Sequence, residues 1–230
     1  MKQGILYGVG VGPGDPELMT RKAVRILETC DVIAAPQSEG NDKTAMAIAA
    51  EFVQGKPVVY FDMPMTRDKA KMQQSHDHAA DEICRLLDEG KMVAFLTLGD
   101  PTIYSTYWYV HKRVLARGYD AQLVPGVPSF CAAAAAVGTA LVEGSEMLHI
   151  VPASHQSTDE GLTLPGTKVL MKAGRSILDV REKLRADGKL QQAALVERAT
   201  MEGERVVRDL DELTDPTGYF SIIIVKEGQA

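Results

Sequence analysis

The sequence predicts an α/β protein of two domains, and three features of its 230 residues support this. Strand-length apolar segments alternate with helical segments through the first half. Those strand segments are continuously apolar, which is typical of parallel strands covered by helices on both faces. Near Gly118 the alternation weakens, and later strand segments are less regularly separated by helices. We therefore expect a mainly parallel α/β domain at residues 1–118 and a mixed α+β domain at residues 119–230.

Each element of the first half has its own local signal. The helix beginning at Thr20, a good N-cap residue, places Ala23, Ile26 and Leu27 on one face. Pro36 ends the second strand, and Gly90 ends the long third helix. The expected strands span residues 4–11, 31–36, 57–61 and 92–99, and the expected helices span residues 20–30, 42–53, 69–89 and 103–116.

The second half shows fewer helical patterns. A small-residue helix follows a strand that ends in Pro-Gly, and only one later segment has clear helical periodicity. Residues 153–166 are rich in turn-forming and polar residues and predict an exposed loop. The expected strands span residues 121–126, 147–152, 168–172, 193–197, 205–210 and 218–225, and the expected helices span residues 128–138 and 176–188.

Composition excludes several classes of protein. A net charge of −6 disfavours a nucleic-acid surface, and no apolar run approaches the roughly 18 residues of a membrane span. The first residues run directly into a strand, so we expect no signal peptide. Three cysteines form no C-x-x-C pair, and the histidines lack partners at ligand spacing. We expect a cytoplasmic protein without a protein-bound metal.

The segment YGVGVGPGDPE, residues 7–17, resembles a dinucleotide loop but does not have its spacing. The third glycine of G-x-G-x-x-G falls on Pro13 in one register and on Asp15 in the other. Pro13 lacks a backbone N–H, and Asp15 places a negative charge where a phosphate would bind. Two interpretations remain: a ligand approaches the glycine backbone closely, or Asp15 simply caps a helix after a tight turn.

The segment LTLGDPTIYSTYWY, residues 96–109, places Asp100 directly after an apolar strand. Asp100 with Pro101 is a good helix start, which is the structural interpretation. Ligands of open α/β sheets bind at the carboxyl ends of strands, where the first glycine loop also lies. The functional interpretation is a shared site lined by an aromatic cluster, namely Tyr104, Tyr107, Trp108 and Tyr109.

The segment VPGVPSF, residues 124–130, places Ser129 in the first turn of an alanine-rich helix. A small hydroxyl there allows a ligand to approach closely. The alternative is a serine that only begins a helix packed through alanines.

Taken in order, five segments resemble the tetrapyrrole methylases, S-adenosylmethionine-dependent enzymes of cobalamin and sirohaem synthesis. The resemblance covers essentially the whole chain. Within the family, GDPTIYSTYWYV and YFSIIIVK are most similar to enzymes that methylate carbon 20 of precorrin-2 or cobalt-precorrin-2. The segments are GVGPGDPELMT, LGDPTIYSTY, PGVPSF, MKA at 171–173 and VERAT at 196–200.

The resemblance implies an active site in the cleft between two α/β domains, a homodimer, and S-adenosylhomocysteine as product. One difference stands at Ser129-Phe130, where many relatives have Thr-Ala or Ser-Ala. The implied donor contacts are Gly99, Asp100, Ile103, Ser129, Phe130, Met171, Ala199, Phe220 and Ser221. The implied tetrapyrrole contacts are Gly12, Pro13, Gly14, Asp15 and Tyr104.

The chemistry of this family needs no metal, because the donor carries its own electrophilic methyl group. The proton that leaves the ring carbon needs an acceptor such as a carboxylate; Asp100 is the first candidate, followed by Asp15 and the tyrosines. Methylation of another tetrapyrrole carbon, diphthine synthesis and non-catalytic tetrapyrrole binding remain alternatives, and cobalt in the ring stays open. Cations must offset the substrate carboxylates, and the candidates are Arg67, Lys69, Lys71, Lys112, Arg113, Lys172 and Arg175.

Overall fold

A computed structural model describes residues 3–37, 43–64, 66, 68–153 and 157–227. The chain divides into two compact units, Met1–Pro128 and Ser129–Ala230. The sequence predicts the division ten residues earlier, after residue 118. The strand at Asp120–Val124 accounts for the difference, because it pairs with the first strand of the chain and so belongs to the first unit.

The first unit is a five-stranded sheet in which every observed pairing is parallel, as the apolar strand segments predict. The strand order is β3-β2-β4-β1-β5, so β1 lies between β4 and β5. The elements are β1 Ile5–Gly10, α1 Arg21–Thr29, β2 Val32–Gln37, α2 Thr44–Ala49, β3 Val58–Asp62, α3 Lys69–Asp88, β4 Met92–Thr97, α4 Tyr107–Ala116 and β5 Asp120–Val124. The carboxyl ends of β4, β1 and β5 therefore lie side by side.

Side chains of β4 alternate between two cores. Phe95 packs with Ile83 of α3 and Val110 of α4, whereas Leu96 packs with Leu27 of α1 on the other face. Both faces of the sheet are thus buried under helices, which explains why the strand has no polar residue before its last position.

The second unit is a mixed five-stranded sheet of order β6-β7-β10-β8-β9. Only β6 and β7 are parallel, and the other three pairings are antiparallel. The elements are α5 Ser129–Val137, β6 Leu148–Pro152, α6 Ser157–Thr163, β7 Thr167–Met171, α7 Ile177–Ala186, β8 Ala193–Glu197, β9 Arg205–Val207 and β10 Ser221–Val225. The sheet confirms the expected mixed α+β architecture.

Two local predictions are wrong. The stretch expected to be an exposed loop contains α6, whose Leu162 is buried in the core of the second unit. One apolar side chain among polar neighbours is too weak a pattern to reveal this short helix. The helix expected from residue 103 begins at Tyr107, because the carboxylate of Asp100 caps a tight turn and not the helix.

Candidate functional site

Three glycines bring the strand ends of the first unit into backbone contact. A Cβ atom built on Gly126 would lie 2.1 Å from the carbonyl oxygen of Gly99 and 2.9 Å from the Cα of Gly10. A Cβ atom on Gly10 would lie 2.6 Å from that same oxygen and 2.6 Å from the amide nitrogen of Gly126. These distances are too short for any side chain, so the loops after β4, β1 and β5 pack backbone against backbone.

The first glycine loop is joined to the loop after β4. The N–H of Gly99 donates to the carbonyl of Gly12 at 2.7 Å, and the N–H of Gly12 donates to the carbonyl of Gly99 at 3.3 Å. Gly12 has a φ of 80°, which favours glycine. Pro13 is buried and Gly14 is half-buried.

Asp15 has the structural role that the sequence suggests. Its carboxylate accepts a hydrogen bond from the N–H of Glu17 at 2.8 Å and caps a short 3₁₀ helix at Pro16–Leu18. The side chain is half-buried.

Asp100 lies beside this contact and is 8% exposed. One carboxylate oxygen accepts hydrogen bonds from the N–H of Thr102 at 2.8 Å and from the Thr102 hydroxyl. The other accepts from the N–H of Gly126 at 3.0 Å. Both oxygens are therefore engaged, and the side chain ties the loop after β4 to the loop after β5.

The aromatic cluster divides into two groups. Tyr107 is buried at 1% exposure, its ring fills the space that a Cβ atom on Gly8 would occupy, and its hydroxyl lies 2.9 Å from Nδ1 of His111. Trp108 stacks on His111 with ring centroids 5.1 Å apart. These residues thus pack within the first unit.

Tyr109 likewise stacks on a histidine, His76, at 4.9 Å. Tyr104 belongs to the loop itself and is 45% exposed, and burial of part of its ring raises the pKa of its hydroxyl. Ile103 is half-buried, and its N–H donates to the carbonyl of Asp100 at 3.3 Å.

In the second unit, strand pairing brings four of the predicted donor residues to one edge of the sheet. Met171 pairs with Ile222, and Ser221 pairs with Glu197. The carbonyl of Phe220 accepts a hydrogen bond from the N–H of Arg198 at 2.8 Å, immediately before the buried Ala199. We call this edge, where β7 and β8 end and β10 begins, the β7–β8–β10 edge.

Ser221 is engaged within this edge. Its hydroxyl donates to the carbonyl of Gly218 at 2.7 Å and lies 2.9 Å from the hydroxyl of Thr217. The side chain is 1% exposed. It therefore holds the start of β10 in place.

Positive φ angles mark the same loops. Among the described residues, four that are not glycine have them: Tyr104 at 48°, Lys172 at 61°, Arg198 at 53° and Thr200 at 63°. Each lies within two residues of a predicted contact or is one itself. Such conformations are unfavourable for residues with side chains and concentrate at functional sites. The sequence analysis did not predict these conformations, since nothing in the local sequence signals a left-handed backbone at these residues.

The remaining predicted residues lie at the start of α5 and directly after β7. Ser129 is the first residue of α5 and is half-buried, while Phe130 is buried. α5 packs against β10 and β8. Lys172 follows Met171 directly, and burial lowers the pKa of its ammonium group.

The other candidate cations have varied surroundings. Arg113 pairs with Asp77 at 2.6 Å, and Lys112 lies over the ring of Tyr109. Arg67 lies outside the described residues. In the part of the chain that the structure describes, no three histidine, cysteine or acidic side chains come together as a metal site, and no helix is long and apolar enough to cross a membrane.

The family model of the tetrapyrrole (corrin/porphyrin) methylases matches residues 5–214. The chain belongs to this family. A cobalamin biosynthesis protein, CobIJ of Mycobacterium tuberculosis, is 37% identical over 240 residues, covering 99% of this chain and 47% of that protein. The chain thus spans about half the length of the mycobacterial relatives it matches.

Two relatives of this tetrapyrrole methylase have nearly its own length. The precorrin-2 C(20)-methyltransferase of a Sinorhizobium species is 32% identical, covering 96% of this chain and 95% of that protein. The probable cobalt-precorrin-2 C(20)-methyltransferase of Methanocaldococcus jannaschii is 36% identical with the same coverage.

Solved structures of other methylases share the fold. A cobalt precorrin-4 methyltransferase aligns with a TM-score of 0.74 at 23% identity, covering 96% of this chain and 94% of that one. A uroporphyrin-III C-methyl transferase of Thermus thermophilus complexed with S-adenyl homocysteine aligns with a TM-score of 0.70 at 22% identity, covering 97% and 98%.

Proposed function

We propose that this protein is an S-adenosylmethionine-dependent methyltransferase that methylates carbon 20 of precorrin-2 or cobalt-precorrin-2 in cobalamin biosynthesis. The observation that carries the proposal is similarity over 96% of the chain to proteins from two organisms whose names state this reaction. The C20-type segments, GDPTIYSTYWYV and YFSIIIVK, support the same reaction.

The protein's task in this reaction is positioning. The donor carries its methyl group on a sulfonium, so transfer requires that the methyl be held in line with a nucleophilic ring carbon and that water be excluded. The proposed donor contacts are Gly99, Asp100, Ile103, Ser129, Phe130, Met171, Ala199, Phe220 and Ser221. The proposed tetrapyrrole contacts are Gly12, Pro13, Gly14, Asp15 and Tyr104.

In this proposal Asp100 positions the donor loop and does not accept the proton. Its two oxygens already accept hydrogen bonds from Thr102 and Gly126, and breaking these would release two loops together. Three of the four carboxylate lone pairs are used in this way, and a general base needs a free lone pair directed at the reacting carbon. The rigid glycine packing around Gly99 serves the same purpose, because it limits how far the donor loop can move.

Lys172 is the cation that we propose for a substrate carboxylate. It directly follows Met171 and is partly buried, where an ion pair is screened less by solvent than at the surface.

We further propose a cytoplasmic homodimer without a bound metal, on the basis of the family resemblance and the cysteine usage. Cobalt, where present, would enter with the substrate. Light scattering of the purified protein tests the dimer, and a metal analysis of the same sample tests the absence of a resident ion.

The decisive experiment incubates the protein with S-adenosylmethionine and the tetrapyrrole, with and without cobalt. We expect mass analysis to show the gain of one methyl group, and NMR of a labelled methyl to place it on carbon 20. A methyl on another carbon would favour another tetrapyrrole methylase. Tight binding of the ring without transfer would favour a non-catalytic binding protein.

A variant pair tests the donor contact at Ser129. Ser129→Leu should weaken S-adenosylhomocysteine binding at least tenfold in calorimetry, because a larger side chain blocks close approach at the start of α5. Cys131→Ser changes an exposed residue two positions along the same helix and should bind normally. Equal affinity of both variants would remove Ser129 from the donor site.

A further inference from the structure

Thr97 buries a hydroxyl group that has no partner in the part of the chain that the structure describes. It is the last residue of β4 and is 7% exposed, and its hydroxyl makes no hydrogen bond with any described residue. The backbone at this position is paired normally, since the carbonyl accepts from the N–H of Val11 at 2.9 Å. Buried hydroxyls are almost always hydrogen-bonded, so an unpaired one requires an explanation.

The position of Thr97 places this hydroxyl beside the candidate loops. Alternation along β4 puts Thr97 on the same face as Val93 and Phe95, which pack against α3 and α4. Its partner across the parallel ladder is Gly10, which has no side chain to cover it. Two residues later the chain reaches Gly99, where the backbones of three loops meet.

Packing alone would favour valine here. The five preceding residues of β4 are all apolar, and valine has nearly the shape of threonine without a hydroxyl to desolvate. A buried hydroxyl without a partner lowers the stability of the fold. Such unfavourable groups are typical of ligand sites, and the carboxyl end of a parallel sheet is where ligands bind.

We propose that the Thr97 hydroxyl forms a hydrogen bond with a polar group of the bound methyl donor. This inference rests on the proposed function, because the loop that follows Thr97 carries the proposed donor contacts Gly99, Asp100 and Ile103. A nucleoside sulfonium amino acid offers ammonium, carboxylate, ribose hydroxyl and adenine groups. A hydroxyl can donate to or accept from each of them.

The test compares four proteins by calorimetric titration with S-adenosylhomocysteine and by thermal melting: the unmodified protein, Thr97→Val, Thr97→Ser and Thr167→Val. Thr167 is the matched control, since it is 1% exposed and its hydroxyl also lacks a partner among the described residues. It begins β7, whereas the predicted contact Met171 ends that strand.

Both valine variants should melt at the same temperature as the unmodified protein or up to about 4 °C higher, because each removes an unpaired buried hydroxyl. Thr97→Val alone should raise the Kd for S-adenosylhomocysteine about three- to tenfold, the worth of one hydrogen bond. Thr97→Ser should restore most of the affinity. If Thr97→Val does not fold, Thr97→Ala takes its place.

Three results would overturn the inference. The first is that Thr97→Val binds S-adenosylhomocysteine as tightly as the unmodified protein. The second is that Thr97→Ser binds it as weakly as Thr97→Val, which would indicate that packing and not the hydroxyl sets the affinity. The third is an unchanged Kd with a raised KM for the tetrapyrrole, which would assign the hydroxyl to the substrate. Failure of the unmodified protein itself to bind S-adenosylhomocysteine would instead contradict the proposed function.

Discussion

The two sheets present their predicted contacts by different means. In the first unit, Gly10, Gly99 and Gly126 pack so closely that no side chain fits, and one buried carboxylate joins the loops. At the β7–β8–β10 edge, residues with full side chains, among them Arg198 and Thr200, adopt left-handed backbone conformations. The first unit relies mainly on glycines that leave no room for a side chain, although Tyr104 is also left-handed there. The second unit holds Lys172, Arg198 and Thr200 in such conformations.

This difference matters for stability as well as for binding. Glycine contacts add no strain once formed, but they tolerate no added atom. Left-handed conformations of other residues persist only where surrounding hydrogen bonds impose them. At Thr200, the N–H is held by the carboxylate of Glu204, and at Arg198 the side chain is held by the carbonyl of Glu202.

The largest loss of stability should come from adding one carbon atom to the glycine packing of the first unit. Gly126→Ala places a Cβ atom 2.1 Å from a backbone oxygen, so we expect the free energy of unfolding to fall by about 3 kcal/mol or more. Gly218→Ala is the matched control, since a Cβ atom there meets nothing within 4 Å. It should change stability by less than about 0.5 kcal/mol in urea denaturation. Equal effects would show that the glycine packing is not the constraint.

The next effect concerns the carboxylate that joins the loops. Asp100→Asn replaces one acceptor oxygen with an NH₂ group, so either Thr102 or Gly126 would face a donor with its own N–H. We expect the free energy of unfolding to fall by about 1–3 kcal/mol, with lower donor affinity. Asp15→Asn keeps its cap and should stay within about 0.5 kcal/mol. Normal melting of Asp100→Asn combined with a large loss of turnover would support a general base.

The smallest effect should appear at the β7–β8–β10 edge, where we expect the free energy of unfolding to rise and not fall. Thr200→Gly removes the cost of a left-handed β-branched residue, about 1–2 kcal/mol, but adds backbone entropy to the unfolded chain. The net gain in stability should be up to about 1 kcal/mol, measured by urea denaturation. Thr214→Gly, at an exposed residue without positive φ, should lose about 0.5–1 kcal/mol. A loss at Thr200 equal to that at Thr214 would show that no strain is stored there.

Local periodicity predicted the strands of the first unit and most of its helices, because the spacing of apolar residues along the sequence reflects which face of an element is buried. It misplaced the start of α4, since Asp100-Pro101 has the composition of a helix start although its carboxylate caps a turn. It also placed the division of the chain before β5, because no residue within 120–124 indicates which strand it will pair with.

The residues of the two edges were named from a resemblance, and local reasoning found only some of them. Asp100 and the first glycine loop stand out because they follow apolar strands. Ala199 and Met171 carry no chemical signal of their own, and strand pairing alone brings Met171, Ser221 and Glu197 to a common edge.

Composition, periodicity and motif order by themselves determined the α/β class, the change in architecture along the chain and the resemblance to a methylase, since each depends on residues close in sequence. Tertiary structure decided which backbones touch, that both oxygens of Asp100 are engaged, that Thr200 is left-handed and that the Thr97 hydroxyl is unpaired among the described residues. Most of these depend on partners far along the chain, such as Gly126 for Asp100, or on the hydrogen bonds that form only in the folded chain. Local sequence patterns contain neither.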